Sequence, residues 1–275
     1  GWPNDTKDLK RFYPSSDLVT GPDIIFFWVA RMIMAGLYFK NEIPFERVYF
    51  TGIIRDNLGR KMSKSLGNSP DPLDLIATYG ADALRVGLLI IAPQGNDILF
   101  NEDNIEQGRN FMNKLWNSAR FVLMNLDDDL PCDISQVPDS HLDTTDRWIL
   151  SRLNHTIQQV DIAYSRYRMN EAVKLVYDFA WGDFCDWYIE FAKVRLYGND
   201  ADSRKTAQSV SVTVLKTIMK LLHPYAPFIT EEIWSKLNSD DEVTLIHSPW
   251  PVATENLIRE DIETDMQVIM DLTQA

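Results

Sequence analysis

Two patterns follow one another along the 275 residues and together predict the fold class: an α/β region over residues 1–98, then an all-α helix bundle over 99–275. In the first region strand-like and helix-like runs are mixed, and Arg47 to Ile54 forms a β-branched and aromatic stretch that reads as a buried strand. Beyond Asn104 the strand signals fade and long amphipathic segments take over.

The elements can be justified in order. Thr20-Gly21-Pro22 opens a helix with proline in its first turn, and Ile24, Phe27, Trp28, Met32 and Leu37 continue it at roughly helical spacing. After the Arg47–Ile54 strand comes a polar loop from Arg55 to Ser69. Asp71-Pro72 caps a short helix, Tyr79-Gly80 stops it, and Ala81 to Ile91 begins another. The bundle segments are Ile105 to Asn125, Thr145 to Ser165, Asn170 to Leu196, Ala201 to Leu222 and Phe228 to Leu237. The clearest linker is Asp127-Asp128-Asp129 with Pro131 and Pro138. Asp265 to Leu272 keeps helical spacing at Met266, Ile269 and Met270, then stops with no glycine cap or proline, while Gly1-Trp2-Pro3 carries no initiator methionine. Both ends read as cut from a longer chain.

With 45% hydrophobic and 24% charged residues, disordered, collagen-like and fibrous classes are excluded. The longest apolar stretch, Ile24 to Leu37, contains Arg31 and is shorter than the ~20 residues a bilayer needs, so no membrane partner is expected. The net charge is −13, yet residues 1–98 hold 11 basic and 11 acidic side chains, so the whole excess lies behind them. Such a balance predicts weak non-specific binding to polyanions but leaves room for a local basic groove. Cys132 and Cys185 are too few for a four-ligand zinc site and lie far from the four histidines, His141, His155, His223 and His247. No zinc is expected, and reduced thiols fit a cytosolic protein.

The chemistry concentrates in Gly59-Arg60-Lys61-Met62-Ser63-Lys64-Ser65-Leu66-Gly67-Asn68. Two lysines three apart, interleaved with hydroxyls and flanked by glycines, suit the wrapping of a polyphosphate: the lysines are mobile point charges, and the hydroxyls and backbone N–H groups are donors. A Lys-Ser-rich loop taken alone could as well be a solvated basic turn.

The pentamer Lys61-Met62-Ser63-Lys64-Ser65 is, letter for letter, the second signature of class I aminoacyl-tRNA synthetases. Its neighbours, Thr20-Gly21-Pro22-Asp23-Ile24-Ile25-Phe26-Phe27-Trp28, Gly52-Ile53-Ile54-Arg55-Asp56 and Tyr79-Gly80-Ala81-Asp82-Ala83-Leu84-Arg85, resemble the valyl-tRNA synthetase family. So do Phe184-Cys185-Asp186-Trp187-Tyr188 and His223-Pro224-Tyr225-Ala226-Pro227-Phe228 in the bundle. The resemblance implies the second half of a Rossmann-like catalytic fold with a stem-contact region, followed by an anticodon-binding bundle. The family's other signature, His-Ile-Gly-His, occurs nowhere in the sequence, nor do its editing domain and coiled-coil arm. The chain by itself is therefore expected to be inactive. Isoleucyl specificity within the class, and a non-catalytic RNA- or protein-binding adaptor outside it, remain the alternatives.

For the whole enzyme the resemblance implies valine, ATP with magnesium, and valine tRNA, held at its anticodon and inner stem, acting as a monomer. Lys64, then Lys61, would be catalytic. Asp23, Gly52, Ile53, Ile54, Lys61, Met62, Ser63, Lys64 and Ser65 would contact ATP, with Asp23 able equally to cap its helix and the serines to hold only loop geometry. Ile24 and Trp28, four apart, would wall the valine side chain or pack as core. In the bundle, Arg109, Asn113, Asn117, Arg120 and Phe121 sit with Trp116 near one helix face and combine cation, amide and stacking groups for single-stranded bases. Trp181, Trp187, Tyr188, Trp234 and Phe228 read as core aromatics.

Overall fold

The computed structural model describes residues 1–92, 94–127, 133–238 and 244–274. They form two compact units, one of Gly1–Ser69 with Ile91–Asn101, the other of Pro70–Ile90 with the chain from Glu102 onward.

In the first unit, helix α1 (Lys7–Phe12) is capped by Thr6, whose hydroxyl accepts from Leu9 N–H. Strand β1 (Ser15–Thr20) runs parallel to β2 (Phe45–Phe50), in register from Ser15 opposite Phe45 to Thr20 opposite Phe50. The crossover is the helix expected from Pro22, but it is wound in three ways: a 3₁₀ turn Pro22–Ile24, a wider π turn Ile25–Val29, and α2 (Ala30–Lys40), which Asn41 ends at φ 54°. The Arg47–Ile54 strand is shorter than expected and mostly not buried. It divides at Thr51–Ile53 into β2 and β3 (Ile54–Arg55), and only Phe45 of β2 is fully enclosed. By length and composition the run Pro22–Lys40, at mean hydropathy 1.4, could cross a membrane, a test that helices of soluble proteins also pass.

The second unit opens with α3 (Pro72–Tyr79), capped by the Asp71 carboxylate on Leu73 N–H and ended at Gly80, φ 93°, a conformation glycine tolerates. Helix α4 (Ala81–Ile90) follows it. Residues Ile91–Asn101 return to the first unit, where β4 (Ile98–Leu99) pairs parallel with β3. The contact division thus differs from a boundary at residue 98, because 70–90 pack with the helices. Glycine explains the closeness: a Cβ on Gly108 of α5 (Glu102–Met124) would lie 2.3 Å from the Ala83 carbonyl. Side chains of α4 also clasp a distant turn. Arg85 donates to the carbonyls of Tyr225 (2.9 Å) and Pro224 (3.1 Å), while the Asp82 carboxylate accepts from Ile229 N–H at 2.7 Å.

The remaining helices are α6 (Thr144–Ser165), α7 (Met169–Asp178), α8 (Ile189–Leu196), α9 (Ala201–Leu222), α10 (Pro227–Leu237) and α11 (Glu260–Gln274). Between α7 and α8 a ten-residue π run, Phe179–Tyr188, widens what the sequence presents as one helix. Phe111, Leu115, Trp148, Phe184, Tyr188 and Ile218 form the centre of the core, with Phe111, Leu115, Phe184 and Ile218 each worth about 1.5–3 kcal/mol of burial. A buried polar knot crosses it: Asp146 accepts from Tyr188 Oη at 2.8 Å and pairs with Arg195, which also reaches Asp143 at 3.0 Å. Of the expected core aromatics, Tyr188 and Trp234 are buried and Trp181 and Trp187 are partly so, but Phe228 is 66% exposed. Asp128, Asp129, Pro131 and Cys132 lie outside the described residues. Cys185 is buried and accepts from Ser118 Oγ. Among the described residues no three His, Cys, Asp or Glu side chains gather as metal ligands.

Candidate functional site

The carboxyl ends of β1 and β2 lie side by side, since Thr51 N–H donates to the Thr20 carbonyl at 3.0 Å. Parallel strands present ligand sites at this end, and here it delivers Gly21-Pro22-Asp23 next to Thr51-Gly52. Asp23 is exposed, and its Oδ1 would lie only 2.7 Å from a Cβ on Gly21. Ile24 and Trp28 are 38% and 54% exposed. Gly52 admits the Asn96 backbone, whose carbonyl would lie 2.0 Å from an added Cβ. The Ile53 peptide is already engaged on both sides: its N–H donates to Asp97 Oδ1 (3.2 Å) and its carbonyl accepts from Ile98 N–H (2.9 Å). Asp97 also pairs with Arg55.

Past β3 the chain doubles back. Arg55 bridges Lys61 in antiparallel fashion, and Asp56 accepts at one oxygen from Leu58 N–H and Arg60 N–H and at the other from Arg60 Nε and Asn68 Nδ2, at 2.7–3.1 Å. The Asn68 amide first, then the Arg60 N–H and guanidinium, hold the Asp56 carboxyl down at about 2 against the opposing effect of burial. Ser63 caps a 3₁₀ turn Lys64–Leu66 through its Oγ on Leu66 N–H, with Ser65 Oγ 3.1 Å away, and Gly67 closes the turn at φ 64°. Met62 and Ser63 are half-buried. Lys61 and Lys64 are exposed, and neither has an ion-pair partner among the described residues. Two uncompensated ammonium groups on an ordered turn are suited to a multiply charged anion. Sequence reasoning found the lysines but not Asp56 or Asn68, whose flanking position was the only local signal.

In the helical unit the stripe on α5 divides. Asn113, Asn117 and Phe121 line one open groove of about 500 Å³ together with Lys114, Trp181 and Lys193. Lys114 pairs with Asp186 and lies 4.7 Å from the Trp181 ring centroid, while Lys193 lies 5.6 Å from that of Phe121. Trp116 and Arg120 line a separate apolar recess of about 220 Å³ with Ile233. Arg109 joins neither, being paired with Glu106 at 2.7 Å and placed over Tyr79.

Comparison with known proteins gives the class. The family model of tRNA synthetases class I (I, L, M and V) matches residues 1–101, and that of the anticodon-binding domain of tRNA ligase matches residues 146–275. The front of the chain thus resembles the class I aminoacyl-tRNA synthetases, and the back resembles the anticodon-binding domain of tRNA ligases. Within that class it is similar to valine-tRNA ligases: 50% identical over 280 residues to that of Fusobacterium nucleatum subsp. nucleatum and 48% over 275 to that of Thermotoga maritima. Each match takes in 100% of this chain and 31% of the relative, so the chain spans less than a third of those proteins. Among solved structures, the Agrobacterium radiobacter K84 LeuRS, in a ternary complex with tRNA and LeuAMS, superposes with a TM-score of 0.69 at 24% identity, over 90% of this chain and 29% of that one. The Mycobacterium tuberculosis methionyl-tRNA synthetase in complex with methionyl-adenylate gives 0.67 at 25% identity, over 92% and 51%.

Proposed function

We propose that this chain supplies the phosphate-binding loop, part of the amino-acid pocket and the anticodon face of an enzyme that joins valine to its tRNA. In the first step a valine carboxylate oxygen bonds to the α-phosphorus of ATP and the bond to the departing pyrophosphate breaks. In the second, a hydroxyl of the tRNA's terminal ribose takes the acyl group and AMP leaves. Negative charge grows on bridging and departing phosphate oxygens, and Lys64 and Lys61 would stabilise it more in the transition state than in the ground state.

The observation that carries this reading is the pair of exposed lysines that have no ion-pair partner among the described residues, on a turn held by its own hydrogen bonds. The carboxyl ends of β1 and β2 support placing Asp23 toward the nucleotide and Ile24 and Trp28 toward the valine side chain. With the Ile53 peptide engaged inside the unit, an adenine contact falls to the neighbouring Gly52 and Ile54. Magnesium would enter with the triphosphate, because among the described residues no carboxylate cluster offers it a cage. On α5, Asn113 and Asn117 would bond base edges while Phe121 and Trp181 offer stacking surfaces, the combination that suits splayed anticodon bases; the inner stem would lie alongside.

The test is Lys64→Ala in a full-length ligase carrying this sequence. The kcat of valine-dependent pyrophosphate exchange should fall by roughly 10²–10³, or ~2.7–4 kcal/mol, as for loss of one preorganised donor to a developing anion. The KM for valine should barely move. A raised KM with kcat intact would show a ground-state contact instead.

A further inference from the structure

The lysine-bearing turn hangs from one side chain. Asn68 Oδ1 accepts from Ser63 N–H at 2.9 Å, and its Nδ2 donates to Asp56 Oδ2 at 2.9 Å and to the Lys61 carbonyl at 3.4 Å. Ser63 passes the hold onward, because its hydroxyl caps the turn that contains Lys64. Asp56, at the other end, is buried and fully engaged, with four donors on its two oxygens. Only one orientation of the Asn68 amide satisfies these partners. Its oxygen must meet an N–H and its NH₂ must meet a carboxylate and a carbonyl, whereas the reversed amide would oppose like groups at every contact. One amide therefore ties the loop's first lysine, its central serine and a buried anion to one another.

We propose that Asn68 is a positioning residue for the lysine pair: it suspends the Lys61–Ser65 turn from the buried Asp56 carboxylate, so that both ammonium groups are in place before the triphosphate arrives. This rests on the reading of the loop as the ligand of the ATP phosphates. Donors fixed in advance need no reorganisation as charge develops, and a misplacement of ~1 Å can cost about 10²-fold in rate. The effect falls on the chemical step, because the lysines face the departing phosphates and not the valine side chain.

The experiment uses a full-length ligase carrying this sequence with Asn68→Ala and Asn68→Asp. The second is isosteric and sets a new carboxylate against Asp56, and it serves if the first does not fold. In a folded variant, kcat for valine-dependent pyrophosphate exchange should fall about 10- to 100-fold while KM for valine stays within about twofold. Trypsin should cut after Lys61 and Lys64 about tenfold faster or more, since cleavage follows the open population of the loop. An unchanged kcat overturns the proposal. So does a lower kcat with loop cleavage unchanged, because Asn68 would then act by some route other than holding the turn. Lys64→Ala, measured alongside, separates the two readings: if it keeps full kcat, the phosphate-loop reading itself fails. If it loses kcat while the Asn68 variants keep theirs, only the suspension fails.

Discussion

In the helical unit Phe111, Trp148 and Tyr188 are fully enclosed, whereas in the first unit Phe26, Phe27 and Trp28 lie open and, among the described residues, only Val29, Phe45 and Ile98 are buried hydrophobics. The same residue types therefore serve different purposes in the two places. In the helical unit an aromatic ring is a stability residue that excludes water from a shared core. In the first unit the rings of Phe26, Phe27 and Trp28 are surface, free to meet a ligand, while Phe45 alone among the described aromatics there is buried. Substitutions should separate accordingly, with folding affected in one region and chemistry in the other.

The largest effect is expected from Asp146→Ala in the helical unit. It leaves the Arg195 guanidinium without its main buried partner and the Tyr188 hydroxyl without an acceptor, a change of the kind that costs about 3–5 kcal/mol. Urea unfolding should show it as a lower midpoint, and a loss under ~1 kcal/mol would break the contrast. Trp28→Ala tests the opposite side. At 54% exposure its removal should leave the unfolding midpoint in place while relaxing the preference for valine over isoleucine by about 1–3 kcal/mol in relative kcat/KM. A midpoint shift with unchanged selectivity would make Trp28 a packing residue after all. The smallest effect belongs to Asn113→Ala with Asn117→Ala, on exposed positions of the helical unit. Losing two base-edge bonds, each worth about 0.5–1.5 kcal/mol, should weaken valine-tRNA binding roughly tenfold, with stability within about ±0.5 kcal/mol. If binding is unchanged, the α5 groove is not where the anticodon is read.

Local rules made much of this legible. Asp71 caps α3 and Gly80 ends it because cap chemistry acts within a few residues, and α9 begins and stops at Ala201 and Leu222 as its periodicity indicates. Strand β1 escaped because Ser15-Ser16-Asp17 carries no apolar alternation, and β2 supplies its pairing from 30 residues away. The π run Phe179–Tyr188 leaves no mark on an apolar pattern that any helical winding would satisfy. At the site, the lysine signature was readable as text, while the Asn68–Asp56 contact spans 12 residues and needed coordinates. The α5 stripe divides between two recesses in the structure, because the neighbours that separate it, Trp181 and Lys193 on one side and Ile233 on the other, come from distant segments.

The clasp made by Asp82 and Arg85 has a consequence for biosynthesis. Asp82 is separated from Ile229 by 147 residues, so α4 cannot reach its final seat until that much more chain has been translated. At ~5–20 residues per second the helix waits roughly 7–30 s, with the apolar face of Ala83 and Val86 served first by α5, the next helix to be made. A ribosome that stalls between the codons for Ile90 and Ile229 would therefore hold a nascent chain in which α4 and α5 are paired but not locked.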